Sequence, residues 1–278
     1  MIELAPHHKY GLPLSNPVMP AAGTFGYGEA YRALIAYEDI GALVTNPVSW
    51  RSCHAAHGPR LVVHGEQFLV HTGLPNPGVR RVIRRYARRW ARLDCPVIVH
   101  VITTSPGDVA RTCERLAGVR NVRGIELGLD DGTTMDDALT FLDAARSTCP
   151  LPLIVRLPFD GVERLALPLA EAGADALTLT APPRGQVLHP TECPLSNTVR
   201  GRLYGPALFP ILLQRLAQWS DLLSVPLVAC GGIRTPEEAR VCLDAGATAV
   251  QIDALLWRDP RMLTCVALAT AAADSPSV

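Results

Sequence analysis

Eight short apolar segments rich in β-branched residues recur along this chain, and helical periodicity follows each of them. The strand-like segments are 17–20, 42–45, 97–101, 124–127, 153–157, 176–180, 227–229 and 249–252. The helical stretches are 29–37, 79–93, 106–116, 135–148, 162–172, 206–223, 236–245 and 259–273. Strand–helix alternation predicts parallel pairing, because each helix carries the chain back to the end of the sheet where the next strand starts. Eight such units close into a (β/α)8 TIM barrel, and 278 residues suit one barrel as a single domain over 1–278. An open doubly wound sheet is the alternative. The near-repeat of Ala172-Gly173-Ala174-Asp175-Ala176 in Ala245-Gly246-Ala247-Thr248-Ala249, placed alike between helix and strand, favours the barrel.

Two connections exceed simple loops: 47–77, with four histidines, and 181–205, rich in Pro, Gly and Thr. Both follow strands, which puts them over the C-terminal face where barrels build their sites, as lids or substrate walls. The apolar positions before Asn16 are expected to cover the opposite end.

Composition removes several functions. A hydrophobic fraction of 48% with 19% charged residues predicts a packed core, and zero net charge argues against nucleic acid as a partner. No apolar run approaches the ~20 residues that span a bilayer, and the N-terminus lacks a leader pattern, so a cytoplasmic chain away from membranes is expected. Eight cysteines show no paired spacing, so no structural metal is read from them. Lys9 is the only lysine among 26 basic residues. Arginine cannot form an imine, so Schiff-base chemistry is excluded unless Lys9 performs it.

The most chemical stretch runs from Leu227 to Asp253. A strand ends in Gly231-Gly232, Thr235 can cap a helix bearing Glu237 and Glu238, and the next strand ends in Asp253. Paired glycines there let backbone N–H groups approach a phosphate. Asp253 places a carboxylate at the same point.

Motifs in register along the chain resemble the dihydroorotate dehydrogenases, particularly the soluble class 1 enzymes. They are Asn16-Pro17-Val18-Met19-Pro20-Ala21-Ala22-Gly23-Thr24-Phe25-Gly26-Tyr27-Gly28, Gly73-Leu74-Pro75-Asn76-Pro77-Gly78, 96–101, Glu126-Leu127, Val155-Arg156-Leu157-Pro158, 201–207, Gly231-Gly232-Ile233 and 245–252. The resemblance implies a barrel with FMN across its C-terminal face and the family reaction of pyrimidine biosynthesis, dihydroorotate to orotate. It also implies a homodimer. By resemblance Ala21, Ala22 and Gly23 belong to the flavin-contacting turn, Asn46 stands at a flavin-contacting position, and Gly205, Gly231 and Gly232 lie near the FMN phosphate. Small residues suit those tasks because a ring or phosphate can then approach the main chain.

The same comparison shows where this chain departs from the family pattern. Asn46 stands for a lysine, Val70 for a substrate-binding asparagine, and Arg156 for a second lysine. Asp131 stands for the catalytic cysteine, Gly128 and Thr133 for asparagines, Ala181 for another, and Asp253-Ala254 for Gly-Thr. Asp131 and Arg156 are the candidate catalytic residues on this alignment.

Other readings stay open. Asp130 and Asp131 suit either a general base or a solvated loop entering the helix at Met135. His71, His100, Glu126 and Asp131 define an alternative metal- or acid/base-dependent barrel enzyme. His54, His57, His64 and His189 read as surface residues, and Cys193 as a candidate reactive thiol. Arg80, Arg81, Arg84, Arg85, Arg88, Arg89 and Arg92 read as the solvated face of a helix, whereas Arg184, Arg200 and Arg202 are placed to bind an anionic small-molecule substrate. A non-catalytic relative with an assembly or regulatory role is the remaining alternative.

Overall fold

In a computed structural model, which describes residues 1–188 and 198–273, eight parallel strands are ordered as the alternation predicts. They are β1 (Val18–Pro20), β2 (Leu43–Val44), β3 (Val97–Ile102), β4 (Val122–Gly128), β5 (Leu153–Arg156), β6 (Ala176–Leu179), β7 (Leu227–Cys230) and β8 (Ala249–Ile252). Each strand pairs with its sequence neighbour from β2 to β8, and β8 pairs with β1. The remaining seam, between β1 and β2, is bridged where the Gly41 N–H donates to the Val18 carbonyl at 2.9 Å. The chain is therefore a (β/α)8 barrel.

Alternation along the strands divides the core. On β3, Val97, Val99 and Val101 join the outer core against the helices, while Ile98 faces the barrel axis. Ile98, Val44, Ile154, Ala176, Val228 and Ala249 form an apolar floor. A small antiparallel hairpin, Ile2–Glu3 with Pro13–Leu14, seals that floor with Leu4, Leu12 and Leu14, all fully buried. Strands buried on both faces read as continuous apolar runs, which is why they were legible.

The helices Pro106–Ala117, Met135–Arg146 and Pro236–Asp244 begin at Ser105, Thr134 and Thr235, whose side chains accept from the N–H three residues on. The segment 29–37 departs from expectation, forming turns followed by a single 3-10 turn, Tyr37–Asp39. Tyr31 has φ 58°, and the Glu29 carboxylate accepts from the Tyr27 N–H (3.2 Å) and the Tyr86 hydroxyl (2.7 Å). These local bonds replace a helical ladder.

The two long connections also differ from open lids. Leu61–His64, Gln67–Val70, Thr198–Tyr204 and Arg184–Leu188 form a four-stranded antiparallel sheet. Within it Arg202 opposes Val70 and Tyr204 opposes Phe68. His189 and Cys193 lie outside the described residues. No helix among the described residues is long and apolar enough to cross a membrane.

Candidate active site at the barrel mouth

Above the apolar floor the axis turns polar. Glu126 is fully buried, and its carboxylate meets His100 Nδ1 at 2.6 Å. It also accepts from Thr178 Oγ1 at 2.9 Å and Gln251 Nε2 at 2.7 Å. Arg156, 5% exposed, donates to Gln251 Oε1 (3.0 Å), the Thr180 carbonyl (3.3 Å) and Cys230 Sγ (3.1 Å), and stands 4.0 Å from Glu126. Strands β3 to β8 thus each send a polar side chain or carbonyl into one network. Gly128 makes room for it, since a Cβ there would lie 2.5 Å from His100 Nε2.

Burial opposes ionisation of Glu126, but the His100 hydrogen bond, the charges of His100 and Arg156, and the Gln251 amide outweigh it. The carboxyl is held down at about 2. Burial likewise disfavours the Arg156 charge, yet Cys230, Glu126 and Tyr204 raise its pKa beyond the usual arginine value. Burial pushes the Cys230 thiol up to about 12. Near neutral pH Glu126 is therefore ionised, Arg156 charged and Cys230 a neutral thiol.

Around this network lies Asp253, 2% exposed, whose Oδ1 accepts from the Ala254 N–H at 2.5 Å. Burial raises its pKa, against the opposing pull of the Ala254 amide, the Arg156 charge and the Gly232 amide. Asp253 lines two small hollows. One, of about 260 Å³, is also lined by Thr180, Pro182, Cys230, Gly231 and Arg215; the other, of about 370 Å³, by Phe68, Gly205, Gly232, Arg234 and Arg258. Both volumes include space open to solvent.

The Asp131 carboxylate is paired with two arginines. Burial opposes its charge, but hydrogen bonds from Arg202 and Arg184 hold its pKa below the ordinary value. Arg202 Nη1 lies 2.7 Å from Asp131, Arg184 Nε donates to its other oxygen, and both arginines reach Asp130 at 3.3 and 3.0 Å. The pair forms a clamp joining the end of β4 to the antiparallel sheet, with Asp130 exposed and Asp131 partly buried. Arg184 and Arg202 are accordingly engaged, and Arg200 donates to Gln186 at 3.0 Å.

Other sequence candidates fall as follows. Ala21 is buried with its N–H on the Ile252 carbonyl (2.8 Å), Ala22 is half-buried and Gly23 exposed in the turn after β1. Asn46 accepts from the Gly26 N–H at 3.1 Å and so braces that turn. Gly205 and Gly232 approach each other, since a Cβ on Gly232 would lie 2.8 Å from the Gly205 carbonyl. His71 is exposed beyond the sheet strand Gln67–Val70 and does not join His100 and Glu126. Among the described residues no three His, Cys, Asp or Glu side chains are grouped to hold a metal. The seven arginines from Arg80 to Arg92 lie on the outer side of Val79–Trp90, whose Val79, Val82, Tyr86 and Trp90 pack inward. Sequence reasoning gave Glu126 no role as the Arg156 counter-ion. The available signal was a charged residue on a strand buried on both faces, which requires a partner.

Fold and mouth together define a (β/α)8 barrel with a buried polar centre under its C-terminal face. A profile of the dihydroorotate dehydrogenase family matches residues 7–131. The chain is 33% identical over 255 residues to the dihydroorotate dehydrogenase B (NAD(+)) catalytic subunit of Pelobacter propionicus, covering 87% of this chain and 84% of that protein. It is 32% identical to the subunit of the same name from Geotalea daltonii (92% and 88% covered) and 28% identical to that of Listeria monocytogenes (90% and 86%). The chain belongs to the dihydroorotate dehydrogenase family.

Proposed function

We propose that this chain is a member of the family that has given up flavin-dependent dihydroorotate oxidation and serves a non-catalytic role in assembly or regulation. The observation that carries this reading is the filled mouth: Arg156, locked to Gln251, Thr180 and Cys230 and facing Glu126, occupies the centre of the C-terminal face. FMN, implied by the family, needs room for a three-ring system and its phosphate tail. Asp253 stands in the wall of both hollows at the mouth, beside the Gly231 and Gly232 positions where the phosphate would rest. The residues here do not fit that group.

The departures from the family pattern agree. Dihydroorotate is a carboxylate ringed by amides, and Val70, Gly128 and Ala181 offer no side-chain hydrogen bond in their place. Asp131, aligned with the family base, is held by two arginines. The relatives are named as catalytic subunits, which fits a chain that works beside copies or partners; homodimer formation belongs to this reading.

The competing reading, retained oxidation of dihydroorotate on FMN, draws its support from the relatives' names. Incubation of purified protein with FMN and dihydroorotate separates the two. A protein without flavin absorbance near about 450 nm, forming no orotate, supports the proposal. Stoichiometric flavin with orotate release would sink it.

A further inference from the structure

Three backbone segments converge beside the end of β7. Gly232 has φ 73°, and a Cβ there would lie 2.7 Å from the Phe209 nitrogen and 2.8 Å from the Gly205 oxygen. Glycine is required by both the positive φ and the contact. Asp253, whose carboxyl accepts from the Ala254 N–H at 2.5 Å, lines the same hollow as Gly205 and Gly232. Main-chain amides gathered at a strand end make an anion cradle, and a phosphate suits one.

Here that position is taken by the chain itself. We propose that the Asp253 side chain is a built-in occupant of this cradle, holding the Ala254 amide beside Gly231 and Gly232 and excluding a phosphate group. The side chain is 2% exposed and stands between two hollows rather than in either. A free anion would have to displace a covalently tethered group, which loses no translational freedom on occupying the site. The cradle inherited with the fold is thereby closed by one residue. This rests on the reading of a filled mouth, but is separable from it, because it concerns the phosphate position and not the ring.

The test compares full-length wild-type chain with Asp253→Gly in thermal unfolding, without and with about 20 mM inorganic phosphate. The expected result is an unmoved wild type and an Asp253→Gly midpoint raised by about 3 °C or more. A folded Asp253→Gly chain that phosphate leaves unmoved overturns the proposal, as does an equal phosphate shift in wild type. Should Asp253→Gly fail to fold, Asp253→Ala takes its place. Fluorescence titration of the wild type with FMN and riboflavin, which differ by the phosphate, adds an arm independent of variants. Binding FMN about ten-fold tighter than riboflavin, a difference of about 1.4 kcal/mol, overturns the Asp253 proposal. Equal binding of both overturns the filled-mouth reading and supports an occupied cradle. Binding of neither supports both.

Discussion

Replacing Glu126 by glutamine removes one charge from the centre of the barrel and changes almost nothing else in size. The carboxylate is fully buried and receives His100, Thr178 and Gln251, with the Arg156 guanidinium 4.0 Å away. Breaking a buried ion pair from one side costs about 3–5 kcal/mol, because the remaining charge keeps its desolvation penalty. The depressed pKa gives the same scale: about 2 against an ordinary 4.5 is a preference for the ionised form of about 3 kcal/mol. The folded pKa is depressed, so this contribution is present in full above pH 4.5 and is lost as pH falls toward 2. Urea unfolding of wild type and Glu126→Gln at several pH values reads it. The expected gap is about 3 kcal/mol at neutral pH, with a midpoint in thermal unfolding lower by roughly 6–12 °C, and it narrows below pH about 4.5. A variant as stable as wild type at neutral pH, or a gap indifferent to acid, would refute the ion-paired account of the mouth.

Three further outcomes are expected. Asp131→Asn weakens a half-exposed clamp, so global stability falls by less than about 1 kcal/mol while amides of the sheet strand Thr198–Tyr204 exchange faster and those of β3 and β4 do not. Unchanged exchange in that strand would contradict the clamp. Gly232→Ala forces a side chain onto the Phe209 and Gly205 backbone at positive φ, and a loss of about 2 kcal/mol or more in urea unfolding is expected; a neutral change would be contrary evidence. Thiol titration of the native chain modifies the exposed Cys265 readily and leaves Cys95, Cys230 and Cys242, which burial pushes up to about 12, unreacted until unfolding. Rapid labelling of Cys230 would mean an open mouth.

The barrel was readable because its strands are apolar on both faces, and Ser105, Thr134 and Thr235 mark helix starts with short-range chemistry. The stretch 29–37 misled because its apolar spacing is helical, while Glu29 and the surrounding aromatic side chains impose turns through contacts distant in sequence. The antiparallel sheet was hidden for a similar reason. Thr198–Tyr204 pairs with Gln67–Val70 across more than a hundred residues, and no local signal announces such a partner. At the site, Gly231-Gly232 and Asp253 were visible as a discordant set, and the structure places them together in the walls of the same hollows. The network of Glu126, Arg156, Gln251 and Thr178 was not readable, since its members come from β4, β5, β8 and β6 and meet only when the sheet closes.

A crystal structure of the protein soaked with FMN tests most directly whether the chain's own side chains fill the mouth. The predicted result is no flavin density, Asp253 on the Ala254 amide beside Gly232, and Arg156 on Gln251. Flavin phosphate resting on Gly231 and Gly232, with Asp253 turned away, would contradict it.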